Sequence, residues 1–312
     1  MLPDKPWRWN ALLRLAGGLI LCLFGASTVT AVIAYFEAPQ PPNAVLFFGA
    51  DILALVFFGL AAATLSGSWD FEEMPKKLLL FGGGFYGGFL LMYWAQHMLG
   101  KTVEAEPVST ARTVGGTLFV EIAWLALLVR FVHEHQMSWV DAFGLKERVP
   151  QAVVCGIVGV LIALPIGITL QWLSGRLMER VGLHPTEEVA VKSAEAASTL
   201  AAQLLFGMIT IVCAPVVEES LFRGLLYPAI RRAGHPRLAL WGTALLFGIM
   251  HGNAVALLSL VFLGLVLAIL YERTGNLLAP MLTHSLFNAI NFVEIVRQGP
   301  VHGEAFLRAL HP

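Results

Sequence analysis

Nine separated apolar stretches, near 11–36, 44–65, 78–99, 113–132, 151–173, 199–222, 238–251, 254–271 and 277–296, dominate this chain. A bilayer core about 30 Å thick takes about 20 such residues per helix. The pattern therefore predicts an all-α, polytopic transmembrane helical bundle of eight to nine spans, the seventh segment being short. Of 312 residues, 57% are hydrophobic and only 13% charged, far from the averages of soluble domains. The formal net charge of -1, with no dense basic stripe, argues against nucleic acid as a partner and leaves membrane lipids. Cys22, Cys155 and Cys213 sit inside apolar runs without ligand spacing and read as small apolar fillers.

Lys5, Arg8 and Arg14 precede the first apolar stretch, as in a signal peptide. That stretch runs on too far for an h-region and lacks a convincing cleavage site, so it is read as a retained span. The Lys and Arg residues of the connecting segments favour a cytoplasmic N-terminus, and an outer C-terminus if all nine spans are real. Residues 37–43, 66–77 and 100–112 read as ordinary loops, and the polar stretch from Ser174 to Ser198 as a solvated connector or an amphipathic gate.

Against this apolar background Glu218, Glu219, Arg223, His251, His284 and Asn288 stand out, because ionisable groups at membrane depth are costly and mark function. At 1.5 Å rise per residue, Glu218, His251 and His284 lie roughly 16 to 21 Å from flanking arginines, at a similar level. Glu219 and Arg223, spaced i to i+4 with the acid first, suit a helical ion pair. Glu218 is turned about 100° from its neighbour and is the better candidate for a general base. Pro215, one turn earlier, cannot donate to the helix ladder and distorts the backbone there. Phe247 and His251 share one helix face, as do His284 and Asn288. A carboxylate, two imidazoles and an amide supply the parts needed to activate a water and attack a carbonyl.

Blander readings compete with this one. Glu218, Glu219 and Arg223 could form an ion cluster holding helices together, a role as fitting as any direct one for Glu219 and Arg223, whereas the extra acid Glu218 argues for function; a lone buried His is usually structural. Asp51, Glu121 and Glu294 would mark an ion path in a transporter, although no internal repeat or paired broken helices accompany them. The Gly82 to Gly88 run, with Gly83 and Gly87 at small-xxx-small spacing, suits close helix packing and lacks the Lys-Ser or Lys-Thr of a P-loop. His133-Glu134-His135 has the wrong spacing for a zinc-protease helix, and no Gly-x-Ser-x-Gly elbow occurs.

Four ordered motifs carry a family resemblance: Ala214 to Gly224, Leu246 to Gly252, Arg273 to Pro280, and His284 to Asn288. Together they resemble the CPBP family, which includes the CAAX prenyl proteases of the Rce1 type and bacteriocin-processing relatives, described as intramembrane glutamic endopeptidases. Trp139 to Leu145 is similar to a short segment that often precedes the core of that family. The resemblance covers about residues 199 to 295. It implies an N-terminal transmembrane region over 1–150 of unassigned role, a helix and polar connector over 151–198, a catalytic core over 199–296 and a tail over 297–312. It further implies that Glu218 and His251 activate water, that Glu219 pairs with Arg223, and that His284 and Asn288 form an oxyanion hole. The implied substrate is a membrane-associated protein or peptide, lipidated or not, and the implied location is the plasma membrane if the chain is bacterial. No cofactor is predicted; zinc held by Glu218, His251 and His284 stays open as an alternative. So does a non-catalytic scaffold or immunity protein of the same fold.

Overall fold

In the computed structural model, residues 6–37, 43–64, 73–103, 109–180 and 200–309 are described. The central parts of the loops expected near 37–43, 66–77 and 100–112, most of the connector before residue 199, and the last residues of the tail lie outside them. Among the described residues the chain is all-helical. In order come α1 (Trp9–Glu37), α2 (Ala44–Thr64), α3 (Met74–Val103), α4 (Thr110–Glu134), the short α5 (Trp139–Phe143) and α6 (Val149–Arg180). Then follows a single interrupted rod: α7 (Leu200–Met208), a π-helical turn (Ile209–Cys213), α8 (Ala214–Glu219), a second π-helical turn (Ser220–Leu226) and α9 (Tyr227–Arg232). The chain ends in α10 (Pro236–Met250), α11 (Leu257–Thr274) and α12 (Leu278–Ala309).

All nine apolar stretches fall on helices. Six helical stretches are long and apolar enough to cross a bilayer, namely α1, α2, residues 111–134 of α4, α6, the rod Leu200–Arg232, and α11; Pro236–Met250 is a shorter apolar helix. The chain forms two compact units, one of residues 8–131 and one of residues 1–7 with 132–312.

Within the first unit, α2 and α3 pack closely because small residues let the backbones approach. A Cβ on Gly84 would stand 2.9 Å from the Phe57 carbonyl oxygen, and one on Gly88 would meet the Phe58 ring at 2.6 Å. Gly83 faces open space, so the close approach uses the pair Gly84 and Gly88, together with Gly87 against Phe57. Asp51 on α2 is only 3% exposed and neither carboxylate oxygen has a hydrogen-bond partner. It is enclosed rather than snorkelling to an interface as its position near a segment end suggests.

The second unit positions the polar cluster. Where lipid removes the hydrophobic drive between helices, packing and interhelical hydrogen bonds hold them. Phe222, Phe247, Leu263, Leu267, Phe287, Val160 and Ala163 interlock in one core contributed by the rod, α10, α11, α12 and α6. Thr283 on α12 donates across to the Gly156 carbonyl on α6 at 2.8 Å. Ser138 caps α5 by accepting from the Asp141 amide, and the helix ends at Gly144 in the left-handed region, φ 66°. A side chain at Gly144 would collide with the Gly275 carbonyl oxygen. Leu277 N–H donates to the Phe143 carbonyl at 3.0 Å and Asn276 Nδ2 to the Glu147 carbonyl at 2.6 Å. These bonds clamp the segment after α5 to the α11–α12 turn.

Candidate active site

The rod that carries Glu218 and Glu219 changes helical register twice, each time just before a proline. The Ala214 N–H reaches back five residues to the Ile209 carbonyl, and the Tyr227 N–H does the same to Phe222. Proline lacks an N–H and its ring crowds the carbonyl of the preceding turn, so a wider turn ahead of it relieves both problems. Pro215 cannot donate to the Thr210 carbonyl five residues earlier, and Pro228 cannot donate to the Gly224 carbonyl four residues earlier. Both orphaned oxygens are satisfied from far along the chain. Asn288 Nδ2 donates to Thr210 O at 2.9 Å, and the Trp7 indole Nε1 donates to Gly224 O at 3.1 Å. The two breaks therefore bracket the acidic pair and tie it to α12 on one side and to Trp7 on the other.

Between the breaks lies a fully buried ion pair. Arg223 donates through one guanidinium nitrogen to Glu219 Oε1 at 2.7 Å and through the other to the Gly264 carbonyl on α11 at 3.0 Å. Both side chains are 0% exposed. The guanidinium also stands over the Phe247 ring, 4.7 Å from its centroid. Removing charges from water is costly unless they are paired and hydrogen-bonded, and this pair is held by an acid, a carbonyl and a ring face. Glu219 Oε1 takes a further bond from His284 Nδ1 at 3.0 Å. One carboxylate thus joins the rod to α12, while its guanidinium partner joins the rod to α11.

Glu218 differs from its neighbour. Its side chain is 20% exposed, and Oε2 lies 3.9 Å from His284 Nε2. That oxygen is shielded and has no hydrogen-bond partner, which is also true of Glu219 Oε2, so the difference between the two acids is the exposure of Glu218. His251 ends α10, with Nδ1 2.8 Å from the Phe247 carbonyl. A carbonyl only accepts, so Nδ1 carries the hydrogen and Nε2 is left as the basic nitrogen. The His251 and His284 rings each pack against Phe247, with centroids 4.8 and 5.5 Å away.

The six site residues chosen from sequence are all described, and five interact as one connected group through Glu219 and Phe247. Asn288 engages instead the carbonyl that Pro215 leaves free. Among the described residues no group of three or more His, Cys, Asp or Glu side chains is arranged to hold a metal ion. Three parts of the arrangement were not expected: the His284 bond to Glu219, the Gly264 carbonyl under Arg223, and Trp7 on the second break. Pro228 is the signal for the last, because like Pro215 it leaves a carbonyl of the preceding turn without its helical donor. Nothing in the sequence points to Trp7 as the donor, 217 residues away.

A helical membrane protein whose buried acid, arginine and two histidines converge on an interrupted helix is the class this arrangement defines. Residues 200–290 match the family model described as type II CAAX prenyl endopeptidase Rce1-like. The Rce1-like match is confined to this segment, and the long apolar helices make the chain an integral membrane protein. It is similar to a Bacillus subtilis (strain 168) protein named "Putative membrane peptidase YdiL", with 29% identity over 94 residues, 30% of this chain. The chain spans 38% of that relative's length. No solved structure matches the chain.

Proposed function

We propose that this protein is an intramembrane endopeptidase that hydrolyses a peptide bond of a membrane-associated protein or peptide, with residues 199–296 as its catalytic core. The observation that carries this reading is the part-exposed Glu218, whose unpartnered Oε2 lies 3.9 Å from His284 Nε2, beside a fully buried Glu219 whose Oε1 is held by Arg223 and His284. A shielded carboxylate oxygen without a partner is costly, and a separation beyond hydrogen-bond length is one that a water bridges. Glu218 takes a proton from that water as its oxygen attacks the scissile carbonyl carbon. The resulting oxyanion collapses, the C–N bond breaks, and the leaving amine takes the proton through the basic Nε2 of His251.

The hydrogen bonds already made support roles for the remaining residues. Glu219, paired with Arg223, accepts from His284 Nδ1, so His284 donates from Nε2 to a developing oxyanion only when its ring is doubly protonated. Asn288 uses one amide hydrogen on Thr210 and keeps the second for the oxyanion. In this reading Glu219 and Arg223 position His284. The Lys and Arg distribution favours a cytoplasmic N-terminus, and a bacterial host would place the protein in its plasma membrane.

The test is product analysis by mass spectrometry after incubating the purified protein in liposomes with a peptide library. The library carries cysteines with and without a prenyl group, and a parallel arm contains a chelator. Defined cleavage that survives chelation supports the reading. Cleavage abolished by the chelator replaces it with a metal-dependent one, and intact substrates beside a folded protein leave a scaffold.

A further inference from the structure

The clamp between the segment after α5 and the α11–α12 turn encloses a cleft of about 310 Å³, lined among others by Lys146, Arg148 and Arg273. The charges there are unevenly satisfied. Glu272 is engaged by Arg231 and by the Tyr227 hydroxyl, and Asp141 by the Ser138 hydroxyl. No ion pair within 4 Å joins Lys146, Arg148 or Arg273 to an acid among the described residues. With Arg231 offsetting Glu272, the three cations face two acids, Asp141 and Glu147, so the cleft keeps an excess of one positive charge.

Its frame is fixed rather than fluid. Leu277 N–H to Phe143 O and Asn276 Nδ2 to Glu147 O bridge its two walls. Arg148 sits at φ 45°, an uncommon left-handed conformation for an arginine and one that its surroundings must enforce. The location restricts the ligand. Arg148 immediately precedes the bilayer-length helix Val149–Arg180, and Arg273 and Thr274 end another, Leu257–Thr274. The cleft therefore lies where two spans leave the hydrocarbon, at the level of lipid headgroups. Basic pockets between span ends attract anionic headgroups, each Lys or Arg adding to the attraction.

We propose that this cleft binds the phosphate headgroup of an anionic phospholipid, with Lys146, Arg148 and Arg273 as its cationic contacts. The site is separate from the Glu218 cluster and does not depend on the peptidase reading. Because Glu272 in its wall is bonded to Arg231 and Tyr227 of the catalytic rod, an occupied cleft would also stabilise the end of that rod.

Native mass spectrometry of the full chain, released from vesicles of phosphatidylglycerol and phosphatidylcholine, tests the proposal. The wild type is expected to retain phosphatidylglycerol preferentially, and the double substitution Lys146→Glu, Arg273→Glu to lower that retention about 10-fold or more. Arg237→Glu, an exposed cation outside the cleft, is expected to leave it within 2-fold. Equal losses in the two proteins would assign the preference to general surface charge and overturn the proposal. So would displacement of the lipid by inorganic phosphate at millimolar concentration, which would make free phosphate the ligand. A folding control by melting temperature accompanies each variant. If the double substitution melts early, the single Lys146→Gln is used, with unchanged retention again overturning the proposal.

Discussion

Asn288 on α12 donates from Nδ2 to the Thr210 carbonyl at 2.9 Å, across 78 residues of sequence. This bond satisfies the oxygen that Pro215 cannot reach, and it fixes the amide so that its second hydrogen has a set direction. One side chain thereby repairs a broken helix and, in the proposed mechanism, holds a donor for the oxyanion.

Replacing Asn288 by Ala removes both functions. Turnover on a cleaved peptide is expected to fall about 100-fold or more, mostly in kcat, as for loss of an oxyanion donor. Stability is expected to drop by about 1–3 kcal/mol because Thr210 O loses its partner. Steady-state kinetics and denaturation in detergent read the two effects separately, and a variant losing stability alone would remove Asn288 from the chemistry.

Arg223→Met strands a buried carboxylate on Glu219. Breaking a buried pair in this way costs about 3–5 kcal/mol. The double change Glu219→Gln, Arg223→Met leaves no uncompensated charge and is expected to be more stable than Arg223→Met alone. Denaturant titrations of the two proteins check that order.

Trp7→Phe keeps an aromatic ring against His135 but deletes the indole donor to Gly224 O. An unsatisfied buried carbonyl costs about 1–3 kcal/mol. The loss should appear as faster hydrogen exchange in Ser220–Leu226, measured by mass spectrometry, with little change in residues 8–131. Unchanged exchange in the second π turn would show that Trp7 is not its anchor.

Gly264 gives Arg223 its carbonyl and lets α11 approach α10. A Cβ there would lie 2.9 Å from Ala244 Cα, a backbone atom that cannot swing away. Gly264→Ala is expected to destabilise by about 1–3 kcal/mol through overpacking. A melting temperature equal to that of the wild type would contradict the close approach.

These contacts also mark what the sequence makes legible. Length and apolarity were enough to locate nine helices, because a bilayer admits few alternatives to a long apolar helix. The i to i+4 spacing was enough for Glu219 and Arg223, since a helix brings those positions together whatever surrounds them. The His284 bond to Glu219 and the Arg223 bond to Gly264 O depend on how three helices cross, which periodicity does not encode. Pro215 announced a distortion, yet the π turns and their rescue by Asn288 and Trp7 needed the tertiary partners. Gly83 and Gly87 suggested the right kind of packing one residue out of register, because either of two overlapping small-residue spacings would serve.

The most direct measurement is cleavage of a single defined peptide by wild type and Glu218→Gln, reconstituted side by side at matched melting temperature. Gln keeps the size and polarity of the side chain but cannot take the proton from water. The account predicts loss of turnover by at least about 100-fold with peptide binding retained. Turnover in Glu218→Gln close to that of the wild type would contradict it.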